Sequence, residues 1–341
     1  MILGAVVLAA GQGTRMKSAL PKVLHPLAGR PMIGWVLGAL DGVSVAHTVV
    51  VVGHGADAVA ASLPDGVTTR VQEEQNGTGH ATQIGVAGLT DDHEVVHGIN
   101  TRVDLAACEA ILQGRLREAL MLEGVTLADP AAVYVDADVR VGRDTVILPG
   151  VQLRGTTDIG SGCTIGPNCL IEDSIVEDGA QIINAVVRES RIGPSTSVGP
   201  FAYVRPATVL SAAAKIGTFV ETKNATIGSG AKVPHLSYIG DAEIGEGTNI
   251  GAGNITANYD GFRKHRTTVG ARVKTGSDCV LVAPVSIGDD AMTGAGSIIT
   301  DDVPAGALGI ARARQSNVDD FTRRAAAKAR AASDQSGGHQ G

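Results

Sequence analysis

From Val135 onward an aliphatic residue, or in places a threonine, returns at every sixth position in three long series. Val135, Val141, Ile147, Leu153, Ile159, Ile165 and Ile171 form one unbroken series. Ile192, Val198, Val204, Leu210 and Ile216 form a second, and Val269, Thr275, Leu281, Ile287, Thr293 and Ile299 a third. A period of six means short strands that turn a corner every six residues. Such a chain winds into a parallel β-helix, with each inward residue stacked on its counterpart one coil away. Glycine often follows the aliphatic residue, as at Gly160, Gly166, Gly193, Gly217, Gly228, Gly245, Gly251 and Gly288. It is expected at or near the corner, where a positive φ favours a residue without Cβ. A sandwich of short strands would space its apolar residues irregularly and fits this run poorly.

Composition agrees with a narrow interior filled by Val, Ile, Leu and small residues: aromatics make up 3% of the chain against 44% hydrophobic residues overall. The 341 residues leave room for two or three domains. A net charge of −7 argues against nucleic-acid binding. Cys108, Cys163, Cys169 and Cys279 include no CxxC pair, so neither a zinc site nor a disulfide framework is signalled. The opening apolar run MILGAVVLAAG is too short for a membrane span and has no basic residues ahead of it. A cytoplasmic protein without a membrane partner is expected.

The first hundred residues read differently. Residues 3–10 form an apolar run that feeds Gly11-Gln12-Gly13-Thr14-Arg15, a parallel strand leading into a glycine loop. A helical pattern around Met32 to Leu40, a strand from Thr48 to Val52 and another from Thr68 to Val71 continue an α/β sheet. Asn100 to Ala119 is helical in pattern and leads into the hexads. After Ala307 the hexads stop, and the basic, alanine-rich stretch Thr322 to Ala332 is expected to be a solvated helix.

A lone GxG after a strand is a weak signal. The longer run Leu8-Ala9-Ala10-Gly11-Gln12-Gly13-Thr14-Arg15-Met16, followed by Leu20-Pro21-Lys22, resembles the signature of sugar-phosphate nucleotidyltransferases. Backbone N–H groups of such a loop cradle phosphates, with Arg15 and Lys22 adding charge. In the hexad region the pattern breaks at Pro234–Asp241 and again at Asn254–Gly261, and breaks are where loops leave a coil. Arg205 and Lys223 lie 18 residues apart, one full turn of three hexads, so they should stack on one face as a phosphate site.

Taken together, Leu3 to about Arg314 resembles the bifunctional N-acetylglucosamine-1-phosphate uridyltransferase/glucosamine-1-phosphate N-acetyltransferase family. The specific motifs are His235-Leu236-Ser237-Tyr238-Ile239-Gly240-Asp241 and Asn258-Tyr259-Asp260-Gly261. The resemblance implies a left-handed parallel β-helix of hexapeptide repeats following a Rossmann-like α/β nucleotidyltransferase domain. It implies His235 as general base, with Arg205, Lys223, Tyr238 and Asn249 holding glucosamine 1-phosphate. Ala252, Asn258, Tyr259, Ser277, Ala295 and Arg312 would line the acetyl-CoA site. Leu8, Ala9, Ala10, Gly11, Lys22, Gln72, Gly77 and Thr78 would hold the nucleotide, UTP in this family, and Asn100 would be a Mg²⁺ ligand. Related acyltransferases assemble as homotrimers, with the acetyl-CoA cleft between subunits.

The likeness has a gap. After Gly79-His80-Ala81-Thr82-Gln83-Ile84-Gly85 the family continues with several strands and helices, including a Gly-Asp pair whose carboxylate holds Mg²⁺. Here Val86 to Asp92 runs at once into His97-Gly98-Ile99-Asn100-Thr101-Arg102. A domain of this kind needs roughly 200 residues and about half are present. The expectation is a truncated nucleotidyltransferase domain over 1–101, a linker helix over 102–124, the β-helix acetyltransferase domain over 125–310 and a tail over 311–341. Acetyl transfer would persist and uridylyl transfer, with its Mg²⁺, would be lost. Two alternatives stay open: retention of both activities, or a non-catalytic β-helix scaffold. A metal-dependent β-helix hydratase needs three converging histidines, and the β-helix holds only His235 and His265.

Overall fold

A computed structural model describes residues 3–11, 13–41, 45–71 and 101–336. The first region is a parallel three-stranded sheet in which Val45–Val52 lies between Leu3–Ala9 and Thr68–Val71. The helices Met32–Asp41 and Ala56–Ala61 accompany it. The second helix has six residues, too few for a helical period to show in the sequence. Ala9, Ile33, Val50, Val52 and Val59 form its small buried core.

The helix Arg102–Leu122 begins with a capping box: Asp104 N donates to Thr101 Oγ1 (3.2 Å), and Thr101 N donates to Asp104 Oδ2 (2.8 Å). It lies against the first coil of the β-helix. Gln113 Nε2 donates to Val135 O (2.7 Å), Val135 N donates to Gln113 Oε1 (3.0 Å), and Arg117 Nη1 donates to Val133 O (3.1 Å). One carboxamide thus occupies the hydrogen-bonding place a further strand would take at an open sheet edge. The hairpin Pro26–Leu27 and Arg30–Pro31 docks at the same end. Ala28 N donates to Glu109 Oε2 (2.7 Å), Ala137 N donates to Ala28 O (3.0 Å), and Arg30 pairs with Asp138 (2.5 Å). Gly29 has φ 77° there, and a Cβ would sit 2.5 Å from Asp136 Cγ.

The remainder is a left-handed parallel β-helix with three faces. The first face runs from Tyr134–Val135 to Ile298–Ile299 and the second from Arg140–Val141 to Val285–Ile287. The third runs from Thr126–Leu127 to Leu308–Gly309. Every member of the three hexad series is buried, and most are fully enclosed. Each buried Ile or Leu contributes about 1.5–3 kcal/mol through removal of its side chain from water. Between the first two series the coil tightens. Leu153 pairs with Ile171, 18 positions on, but Ile171 pairs with Val187 and Val176 with Ile192, 16 positions on. Corners there are one residue shorter, so inward residues at Val176, Val187 and Ile192 follow five positions after the previous one.

The glycines that follow the aliphatic residues serve a purpose other than the expected one. Of those eight, only Gly166 has a positive φ. At the other seven an added Cβ would strike the next coil: 2.0 Å from Pro234 O at Gly217, 2.5 Å from Gly276 O at Gly251 and 2.4 Å from Ala305 N at Gly288. They permit adjacent coils to approach. The left-handed conformation is taken at the corners, often by residues with side chains, among them Asp144, Asn168, Phe201, Ala207 and Phe219. Beyond the coils, the tail helix Phe321–Ser336 contains the expected stretch and is exposed where its side chains are described.

Candidate functional site

His235 ends the strand Lys232–His235 on the third face, and Tyr238 begins the strand Tyr238–Ile244 on the first. Leu236 turns the corner with φ 51°, and Ser237 Oγ donates to His235 O (2.7 Å). No loop leaves the coil at Pro234–Asp241. The hexad pattern is lost there because long strands, Glu221–Ile227 and Tyr238–Ile244, run through from the first face to the second in mutual register. The His235 side chain stands exposed at this corner.

On the first face, Tyr203–Val204 pairs with Glu221–Thr222, which pairs in turn with Tyr238–Ile239. Arg205 N donates to Thr222 O (2.9 Å), so Arg205 and Lys223 lie on neighbouring coils as their spacing predicts. The break after Asn254 does release a loop, and this loop brings in a cation that sequence reasoning missed. Tyr259 and Lys264 form an antiparallel bridge across it. Lys264, by hydrogen bonding and charge, and Arg205, by charge, hold the Lys223 ammonium below the usual lysine range. Three cations crowded together suit a multiply charged anion, which would relieve their mutual repulsion. One carboxylate already competes: Glu221 accepts from Arg205 Nη1 (2.6 Å) and pushes the guanidinium further up. The signal that could have flagged Lys264 is its place in a polar break of the repeat, six residues after Asn258.

Asp260 shapes that loop. It accepts from Arg263 N (2.6 Å) and Phe262 N (2.8 Å) and faces His265 Nε2 at 2.7 Å, which together depress its carboxyl to about 2. Asn258 N–H groups donate to Asp241 Oδ2 (2.5 Å) and, more weakly, to the Tyr238 hydroxyl (3.5 Å).

The other implied acetyl-CoA residues follow His235 down its corner. Gly253 N donates to His235 O (3.2 Å), Asp278 N to Ala252 O (2.7 Å) and Gly296 N to Ser277 O (2.8 Å). Ala252, Ser277 and Ala295 therefore succeed one another beneath the imidazole, a track of small side chains. Arg312 comes next to Ala311, which is bonded to Ser297 Oγ and Ile298 at the foot of the same corner. Tyr259 stands exposed on the loop that follows Ile255–Ala257, across the first face from this corner. Asn249 is not brought to Tyr238: its bridges to Lys232 and Lys274 put it on the third face.

Of the implied nucleotide residues, Leu8 and Ala9 end the first strand, and Ala10 and Gly11 follow it. Gly13 has φ 59°, and a Cβ there would lie 2.8 Å from Lys22 Cβ, so glycine is needed for the loop to fold onto Lys22. Gln72, Gly77, Thr78 and Asn100 lie outside the described residues. Among the described residues no three His, Cys, Asp or Glu side chains converge as for a metal, and no helix is long and apolar enough to cross a membrane.

Comparison with known proteins bears on both halves. The family model for a MobA-like NTP transferase domain matches residues 5–138, and that for the bacterial transferase hexapeptide (six repeats) matches residues 138–173. The bifunctional protein GlmU of Streptomyces avermitilis is 38% identical over 461 residues, covering 95% of this chain and 96% of its own length. That of Mycolicibacterium gilvum is 38% identical over 94% of this chain and 91% of its own. The chain belongs to the GlmU family. The alignment to the Streptomyces GlmU extends over 461 residues while this chain has 341, and it reaches nearly both ends of each protein. More than a hundred positions of that GlmU therefore face an internal gap, and the nucleotidyltransferase-like first half is the short one. Among solved structures, the Arabidopsis UDP-N-acetylglucosamine acyltransferase aligns with 59% of this chain and 73% of its own at 16% identity and a TM-score of 0.36, too loose a likeness to carry an argument.

Proposed function

We propose that this GlmU-family chain transfers the acetyl group of acetyl-CoA to the 2-amino group of glucosamine 1-phosphate. The observation that supports this reading most is the corner at His235. On one side stand Arg205, Lys223 and Lys264, suited to a sugar phosphate, with Tyr238 beside them. On the other, small side chains descend from His235 through Ala252, Ser277 and Ala295, leaving room for a thin acyl-carrying arm. The imidazole stands where the two substrates would meet.

In this reading His235 takes a proton from the 2-ammonium. The freed amine attacks the thioester carbonyl carbon, the C–N bond forms and the C–S bond breaks. The sulfur leaves as thiolate and recovers a proton from the imidazolium, and the amide nitrogen loses its second proton to solvent. Arg205, Lys223 and Lys264 fix the phosphate so that the amine reaches the corner. Asn249, on the third face, would serve this site only from a neighbouring copy, which favours an oligomer whose clefts lie between chains. Uridylyl transfer is left out of the reading, since the sequence between Gly85 and Asn100 carries no Gly-Asp pair for Mg²⁺.

The test is release of free thiol from acetyl-CoA in the presence of glucosamine 1-phosphate. His235→Ala should lose on the order of 10²–10⁴-fold in kcat while still binding acetyl-CoA. Near-normal turnover in that variant would remove His235 from the mechanism, and a wild-type protein without thiol release would remove the proposal.

A further inference from the structure

The corner between the first and second faces carries one polar side chain per coil: Asn224, then Asp241, then Asn258. Asp241 is buried, with 8% of its surface exposed, and adopts φ 47° within an otherwise extended strand. Asn224 holds the same unusual conformation, φ 45°, one coil away. Each Asp241 oxygen takes one amide proton. Asn224 Nδ2 donates to Oδ1 at 2.6 Å and Asn258 Nδ2 donates to Oδ2 at 2.5 Å.

An ionised carboxylate accepts hydrogen bonds and donates none. The amide nitrogen of Asn258, and not its oxygen, must therefore face Asp241. The same nitrogen also reaches the Tyr238 hydroxyl at 3.5 Å. Among the described residues nothing donates to Asn258 Oδ1. We propose that Asp241 is a positioning residue that fixes the polarity of the Asn258 carboxamide, so that Oδ1 is presented as an acceptor to an N–H group of a bound substrate. This inference rests on the acetyl-transfer reading. Two N–H sources share that chemistry: the secondary amides of the pantetheine arm and the attacking amine itself. The small-residue track below His235 runs down the corner between the third and first faces, across the first face from Asn258, with Arg205 and Lys223 on the first face.

Asp241→Asn tests the idea without opening the ladder. The new carboxamide can still accept from Asn224, but toward Asn258 it must donate, so the Asn258 amide turns over and its N–H groups face the substrate. The ladder stays fully bonded, and the melting temperature should stay within a few degrees of wild type. A donor set against a donor should raise the KM for acetyl-CoA about tenfold or more if the pantetheine amide is the partner, or lower kcat by a similar factor if the amine is. The KM for glucosamine 1-phosphate should fall or hold, because a negative charge that faces Lys223 is gone. Opposite movements of the two constants are not what a merely structural role produces. Asp241→Asn combined with Asn258→Asp restores a donor on the ladder and an acceptor outward, and should recover most of the loss. Unchanged constants in Asp241→Asn, or equal loss for both substrates together with a lowered melting temperature, would overturn the positioning role. A wild-type protein that binds neither substrate by calorimetry would sink the proposed function and this inference with it, whereas a wild type that binds both substrates, with KM and kcat unaltered in the variant, sinks the inference alone.

Discussion

Gly217→Ala should both destabilise the β-helix and slow acetyl transfer, through one backbone clash. Gly217 lies in the strand Lys215–Thr218, and its added Cβ would sit 2.0 Å from Pro234 O, 2.7 Å from Pro234 C and 2.9 Å from Pro234 Cα. All three are backbone atoms of the neighbouring coil, so no side chain can swing aside. Relief requires the coils to part by about 1 Å, against the hydrogen bond by which Gly199 N meets Ile216 O (2.9 Å) above and the packing of Ile216 and Val233 within. Overpacking of this kind costs about 1–3 kcal/mol, which lowers Tm by several degrees in a chain this size. His235 follows Pro234 directly, so the displacement is passed to the imidazole. A misplacement near 1 Å costs on the order of 10²-fold in rate. The control is Gly306→Ala, at φ 69° with nothing within 4 Å of the new Cβ. It should cost about 1–2 kcal/mol from the left-handed backbone alone and leave kcat untouched. Ala207 and Ala213 already sit at φ 61° and 56° in this fold. Thermal denaturation and thiol release on both variants make the comparison. A Gly217→Ala protein that melts and turns over like wild type would refute the argument that these glycines exist for coil-to-coil approach.

Three further outcomes are expected. Lys264→Ala should raise the KM for glucosamine 1-phosphate about tenfold and move the Lys223 ammonium back toward its ordinary range, with little change for acetyl-CoA; equal effects on both substrates would contradict its assignment to the phosphate. The Asp260 carboxyl lies at about 2 in the folded loop, below the ordinary carboxylate value near 3.9, so its contribution to loop order is fully present above that ordinary value and lost as pH falls through about 2. Pepsin cleavage at Phe262, whose side chain is 91% exposed, should accordingly rise only below about pH 4, and Asp260→Asn should be cut as readily at pH 4 as wild type is near pH 2. Finally, Phe201 and Phe219 stack with ring centroids 5.5 Å apart and, with Leu236, form an exposed apolar ridge beside His235. We expect light scattering to give three copies per particle and Phe219→Asp to dissociate them; an active monomer would rule the trimer out.

The hexad register was readable because the inward position is enforced by burial at every coil, from Val135 to Ile299. The tightened coils were not, since dropping a corner residue at Asp173, Asn184 or Glu189 leaves no mark except a five-residue step between aliphatics. The glycine reading failed for a specific reason. From sequence, a residue lacking Cβ for its φ looks the same as one lacking it for proximity, and only the distance from Gly217 to Pro234 O distinguishes them. Arg205 and Lys223 were legible because their spacing equals one coil. Lys264 was not, because it reaches the same place from a loop outside the register. Asn249 shows the converse: a residue type matched to a motif says nothing of the face on which it stands.

The attachments of the first region to the β-helix sit at two separate points of the sequence. The hairpin around Ala28 and Arg30 comes early, and the helix bearing Glu109 and Gln113 comes after residue 100. Each grips the same first coil. Everything between them is topologically a closed insert, pinned at its entrance and its exit. Residues can be lost from such an insert without cutting either attachment, and the coil end keeps its cover whatever the insert's length. The architecture thus separates the survival of one half from the completeness of the other, so that a large loss in the first half need not disturb a single hydrogen bond at His235, some six coils away.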